Sequence, residues 1–197
     1  MLRALRFLGL AAVLLALPVA VMAQALNTEV RSAPFSLSGP VGFEADLLPF
    51  LTGGYYGSVW YGAQPWRFRA VVTEVNIPSA ATQPQFKNQR LDVTALIVDR
   101  FIGRQAAALY GPWIGAGFEA WHTRIEAKDS GKSATFENTS FTVGAGHVLY
   151  LTGAWYLNPW FAVHDLIGGD SSVKVGAHTY HPPQVTGELS LKIGWHF

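Results

Sequence analysis

The chain contains no cysteine. Disulfide staples, thiolate metal sites and the lipid-attachment cysteine of a bacterial lipoprotein are therefore excluded, and the fold must rest on backbone pairing and packing. Charge is also scarce. Asp, Glu, Lys and Arg make up 14% of the residues, against about 25% in an ordinary soluble domain. The formal charge is +1, which gives no basic footprint and excludes nucleic acid as a partner. After residue 25 nothing approaches the roughly 18 consecutive apolar residues that a membrane-spanning helix needs. What the chain has instead is 13% aromatic residues, with seven tryptophans and twelve phenylalanines, and 20 glycines.

The one long apolar run lies at the start. Arg3 and Arg6 precede Phe7–Val21, and small residues follow, with Val21 and Ala23, or Ala23 and Ala25, at a signal-peptidase spacing. A positive n-region, an apolar h-region and a small-residue exit predict a secretory signal peptide over residues 1–25. The run holds Pro18 and is too short to anchor as a helix. Its removal, with Arg3 and Arg6, takes the formal charge from +1 to −1. An exported, apolar chain without spanning helices can satisfy its backbone in lipid as a closed β-barrel.

The C-terminus carries the clearest pattern. Val185, Gly187, Leu189, Leu191, Ile193, Trp195 and Phe197 alternate with Thr186, Glu188, Ser190, Lys192, Gly194 and His196. Period-two alternation over this length fits a tilted membrane strand with lipid on one face and a polar lumen on the other. Further strands are predicted in Gly53–Gly62, Trp66–Ile77, Leu91–Phe101, Trp113–Ile125, Ser140–Leu151 and Trp155–Leu166, the last weakened by Pro159. An eighth falls within Phe35–Phe50, where alternation is poor.

Linkers sort by length. Ser79–Asn88, Ala127–Asn138 and Gly168–Gln184 are long and polar, with Val173–Tyr180 able to form a projecting hairpin, while Ala63–Pro65 and Thr152–Gly153 are short. Long external loops and short periplasmic turns are the barrel pattern. Gly103–Gly111 breaks it, being periplasmic in this scheme yet nine residues long. The same phase puts Tyr110, Trp113, Tyr150, Trp155 and Trp195 in an aromatic girdle at the periplasmic interface. The fold class is therefore all-β: an eight-stranded antiparallel transmembrane up-and-down β-barrel over residues 26–197, with ten strands the alternative even count. At eight strands side chains are expected to fill the interior, which argues against a general porin.

The alternating strands and the ending ELSLKIGWHF resemble the small barrels of Gram-negative outer membranes, a group that includes OmpA-, OmpX- and OmpW-like proteins and lipid A-modifying barrels. The resemblance implies a bacterial outer-membrane location, contact with outer-membrane lipid and lipopolysaccharide, and recognition of the last strand by the barrel assembly machinery. The assembly signal would be Leu189, Leu191, Ile193, Trp195 and Phe197. It leaves activity open, because function lives in sites grafted on a fold.

Inward phase assigns Arg67, Arg69, Glu119, Asn158, His164, Glu188 and Lys192 to the lumen, where opposite charges must pair. The plain reading is a stabilising polar network inside a barrel with a structural or interaction role through its external loops; the alternative is a narrow passage for small or hydrophobic solutes. A lipid A deacylase on this fold carries a His-x-Ser pairing, and no histidine here has a serine two residues on. His122, His147 and His164 remain the residues a lipid-modifying site would need. His178 and His181 lack acidic neighbours in the sequence and make a poor zinc site. No phosphate-binding glycine loop occurs, so no cofactor is expected. A soluble ligand-binding barrel of the lipocalin kind is the remaining alternative, and the apolar outward face of the last strand argues against it.

Overall fold

The computed structural model describes residues 41–197; the predicted signal peptide lies outside the described residues. Eight strands close a ring in the order β1-β10-β7-β6-β5-β4-β3-β2. They are β1 (Val41–Asp46), β2 (Tyr55–Ala63), β3 (Trp66–Ile77), β4 (Phe86–Phe101), β5 (Gly111–Ala127), β6 (Ser133–Thr152), β7 (Trp155–Gly169) and β10 (Val185–His196). All neighbours are antiparallel. Two further strands, β8 (Val173–Val175) and β9 (His178–Tyr180), form the predicted hairpin outside the ring. The helix α1 (Leu47–Leu51) follows directly on β1.

Alternation makes the wall. In β4, Val93, Ala95, Ile97 and Phe101 are buried in the lumen while Leu96 and Val98 face outward and are exposed. Val59, Phe68, Val72, Ile114, Phe118, Phe141 and Val143 continue that exposed apolar belt on other strands. Exposure of so many large apolar side chains is costly in water and favourable in lipid. Near the last residue the belt ends in aromatic rings. Trp155 stacks on Trp195 at 5.5 Å, and Phe43 and Phe197 pack against Trp195 at 6.0 and 5.2 Å.

Several expectations need correction. Trp113 leaves the girdle: it shares inward parity with Gly115 and Glu119 and is buried in the lumen. Ala127–Asn138 is mostly strand, since β5 extends to Ala127 and β6 begins at Ser133, leaving residues 128–132 to turn. Pro159 sits inside a regular β7. It pairs with Leu191 of β10, and its missing N–H falls where the β6 ladder already lapses, between Gly146–Trp160 and Leu149–Leu157. The long Gly103–Gly111 connection has a structural use. Its short 3-10 turn (Ala106–Ala108) leads to Leu109, which is buried in the same apolar cluster as Trp60, Phe101 and Trp113. Gly62 makes room for it, because a Cβ there would lie 2.3 Å from Leu109 Cδ1.

Candidate functional site

The lumen divides into two halves with different chemistry. The half on the Phe197 side, periplasmic in the sequence-based scheme, is a plug of side chains. Asp99 on β4 lies directly beside Arg67 and Arg69 on the adjacent β3, and Glu44 reaches the arginines from β1. Arg67 Nε and Arg69 Nε donate to Asp99 Oδ2 at 2.8 and 2.7 Å, and Arg69 Nη2 donates to Asp99 Oδ1 at 2.9 Å. Glu44 Oε1 accepts from Arg67 Nη1 at 2.9 Å, from Asn158 Nδ2 at 2.8 Å and from the Tyr156 hydroxyl at 3.1 Å. Trp113 Nε1 donates to Asn158 Oδ1 at 2.9 Å and Trp60 Nε1 to the Tyr156 oxygen at 2.7 Å. A buried ion pair is tolerated when its remaining lone pairs and protons are also satisfied, and most of them are here.

Aromatic rings sandwich the guanidiniums. Arg67 lies over Phe101 and Trp113 at 5.3 and 5.1 Å, and Arg69 over Trp113 and Trp160 at 5.0 and 4.9 Å. Trp113 and Trp160 stack on each other at 5.6 Å. Lys192 is fully buried, with Nζ 3.9 Å from the Trp160 ring centre and 4.8 Å from that of Tyr56. Its ammonium makes no hydrogen bond among the described residues and rests on these π faces. Three cations (Arg67, Arg69, Lys192) thus share the plug region with three acids (Glu44, Asp99, Asp46).

Above the plug a second cluster lines one wall. His164 Nδ1 lies 3.1 Å from Glu119 Oε2, and His164 Nε2 lies 3.2 Å from Glu188 Oε2. Trp121 Nε1 donates to Glu119 at 2.6 Å and Trp160 Nε1 to Glu188 at 2.9 Å. An imidazole between two carboxylates satisfies both only when it carries two N–H donors. Both its nitrogens are therefore taken by carboxylates and not by a serine hydroxyl. His122 and His147 lie in the outward phase, with His122 Nδ1 3.5 Å from Glu137, so the three histidines do not converge.

The outer half of the lumen is not filled. A cavity of about 540 Å³ stands over Tyr56 and Trp160, walled by Val71, Val93, Ala95 and Ile97 on the β3–β4 side. Glu119, the cross-strand neighbour of Ala95, faces it too, with His164 and Glu188 on β7 and β10. The expectation of an interior packed throughout is corrected here. The inward residues of outer β3 and β4 are short aliphatics, too small to meet across the barrel. The volume falls within the range of about 300–1,000 Å³ usual for small-molecule sites.

Of the seven residues assigned to the lumen by phase, Arg67, Arg69, Asn158 and Lys192 stand in the plug region, and Glu119, His164 and Glu188 in the upper cluster. Glu44, Asp99, Tyr156 and Trp160 complete the arrangement, and the sequence reading does not single them out. Asp99 and Trp160 share the parity of inward residues in strands that it does recognise, whereas Glu44 lies where alternation is poor. Leu189, Leu191, Ile193, Trp195 and Phe197 hold the outward phase of the C-terminal segment. In the last external loop, His178 Nε2 lies 2.9 Å from Asp129, and no metal-binding cluster occurs among the described residues.

A closed antiparallel ring with an apolar outer belt, aromatic rings at one rim and charges turned inward is a transmembrane β-barrel of the outer-membrane class. No protein-family model and no curated protein matches the sequence. Among solved structures the chain is similar to Neisserial surface protein A, at 14% identity and TM-score 0.49 over 80% of this chain and 93% of that one. It is also similar to a major outer membrane protein from Thermus thermophilus, at 11% identity and TM-score 0.44 over 80% and 99%.

Proposed function

We propose that this outer-membrane barrel binds a small hydrophobic or amphipathic solute in the outer half of its lumen. The observation that carries the reading is the contrast between the halves. A cavity of about 540 Å³ with aliphatic walls stands above a plug of paired charges and stacked tryptophans. The plug and Leu109 block the axis on the periplasmic side, which favours binding over continuous conduction. Glu119, His164 and Glu188 supply the polar contacts that orient a ligand in an otherwise apolar pocket.

The test is binding of an environment-sensitive hydrophobic fluorophore to the purified barrel in lipid vesicles. Native protein is expected to bind it, and Ala95→Trp, which fills the cavity from the β4 wall, to lose that binding while keeping heat-modifiable gel mobility. Unchanged binding in Ala95→Trp, or a steady ion current through the native barrel in planar bilayers, would overturn the reading. Contact with outer-membrane lipid and lipopolysaccharide along the belt, and assembly-machinery recognition of Leu189, Leu191, Ile193, Trp195 and Phe197, belong to the same proposal. Deletion of Phe197 is expected to lower membrane insertion in cells; full insertion without it would remove the assembly role.

A further inference from the structure

The ring closes fully only in its periplasmic half. Strand β1 pairs with β10 from Gly42↔His196 to Asp46↔Lys192 and then turns into α1. Among the described residues, β10 above Lys192 has a strand partner only on the β7 side. Phe197 N donates to Val41 O and His196 N to Ala154 O. Alternate residues send their backbone groups to opposite sides of a strand, so Gly187, Leu189 and Leu191 aim theirs at the open side. An edge of this kind is expensive in hydrocarbon and is tolerated where it is buried in protein or lines a cavity that water can reach.

The cavity reaches that edge. Gly187 and Leu189 have outward, lipid-facing parity, yet both line the cavity, along with Leu48 and Pro49 of α1. The gap has a built sill: Asp46 caps α1 by accepting from Leu48 N at 3.0 Å, and Ser190 Oγ donates to the same carboxylate. The gap is also kept thin. A Cβ on Gly42, Gly117, Gly146 or Gly194 would strike a neighbour at 2.1–2.4 Å, so packing requires those glycines. At Gly187, beside the gap, the nearest atoms to a Cβ are 3.9 Å away. Packing does not explain this glycine. Below stands the plug. Above, Gln83, Tyr180 and Pro182 line the outer end, and Gln83 Nε2 donates to His181 O at 2.7 Å, tying the two loops together.

We propose that the gap between β10 and α1 is a lateral portal through which one acyl chain of an outer-leaflet lipid enters the cavity. The occupant follows from the position. The portal opens on the lipid-facing surface, beside the exposed Leu47, Phe50 and Leu51 of α1, and the cavity holds one chain but not a whole lipid. The headgroup stays outside the wall. This inference rests on the reading of the cavity as a binding site.

The test uses a phospholipid with a diazirine at the end of one acyl chain, photolysed in vesicles containing the native barrel, with insertion sites mapped by mass spectrometry. Label is expected on the inward residues Leu91, Val93 and Ala95 as well as on the outward Leu96 and Phe118. Gly187→Trp is expected to lose the inward label and keep the outward one, with heat-modifiable mobility intact, while Gly187→Ala keeps both. Label confined to outward residues of the native barrel, or inward label persisting in folded Gly187→Trp, would overturn the portal. A headgroup-free diazirine hydrocarbon separates the two readings. If it labels inward residues and the lipid does not, the cavity binds but the portal fails; if neither does, both fail.

Discussion

Asp99→Asn is the sharpest test of the plug. The substitution keeps the side-chain volume and removes one charge. Asp99 is fully buried and accepts from Arg67 once and from Arg69 twice, at 2.7–2.9 Å. Each charge-assisted hydrogen bond contributes about 1.5–3 kcal/mol, but three bonds to one carboxylate do not add. Removing one partner of a buried pair costs about 3–5 kcal/mol, because the charge left behind is uncompensated. Glu44 is the remaining acid beside both arginines, and Arg69 Nη1 is 4.0 Å from it, too far to replace a direct bond. The expected loss is therefore about 3–5 kcal/mol, measured by urea unfolding in vesicles with folded and unfolded forms separated by gel mobility. Glu74→Gln is the control, since Arg90, its partner at 2.9 Å, is 48% exposed and such pairs are worth about 0–1 kcal/mol. The double variant Asp99→Asn/Arg69→Met removes the stranded cation and is expected to recover part of the loss. If Asp99→Asn cost no more than Glu74→Gln, or the double variant fell below the single one, the plug would be neither dry nor charge-compensated.

Two further outcomes follow from the same geometry. Gly146→Ala places a Cβ 2.4 Å from Trp113 Cζ2 and 2.9 Å from Pro159 O; overpacking of this kind costs about 1–3 kcal/mol, whereas Gly187→Ala should stay within about 0.5 kcal/mol, and equal unfolding midpoints would contradict the packing account. In the external hairpin, burial pushes the Tyr180 phenol above its ordinary value of 10, against the opposing hydrogen bond from Gln89. The hairpin's contribution from this group is complete below pH 10 and is lost as pH rises through the raised value. Protease cleavage of the hairpin should therefore increase at alkaline pH in the native barrel and less so in Tyr180→Phe, and identical profiles would refute the assignment.

The wall is legible in the sequence because lipid outside and charge inside impose a strict period of two, and the segment from Val185 to Phe197 shows it without a break. The same parity carries Arg67, Arg69, Asn158 and Lys192 into the lumen. It holds more than these: Asp99 shares parity with Val93 and Ile97, and Trp113 with Gly115 and Glu119. Grouping Trp113 with the girdle weighs its nearness to a strand end above its phase. Glu44 is out of reach for a different reason. Its strand has six residues and runs straight into LLPFL, so no period can establish itself. The cavity is invisible because Val71, Val93 and Ala95 are apolar on the inner face while Val72 and Leu96 are apolar on the outer one. Alternation cannot separate two apolar faces.

The short first strand also accounts for the division of the barrel. A ring missing half a strand cannot rely on backbone pairing at the gap, so rigidity must come from side chains in the half that remains closed. The groups that do this are placed accordingly. Glu44 and Asp46 both lie on β1, and through Arg67, Asn158, Tyr156 and Ser190 they tie that strand to β3, β7 and β10. A β1 as long as its neighbours would not need such anchoring. The plug is thus best understood as the structure that lets the outer half stay open at the side. Variants that weaken it, Asp99→Asn first, should loosen the β1–β10 seam before the β4–β7 wall. Hydrogen exchange can read that order directly, since strands with intact ladders open last. Simultaneous exchange of the seam and the wall would show instead that the barrel opens as a single unit and that the plug has no special hold on its weakest strand.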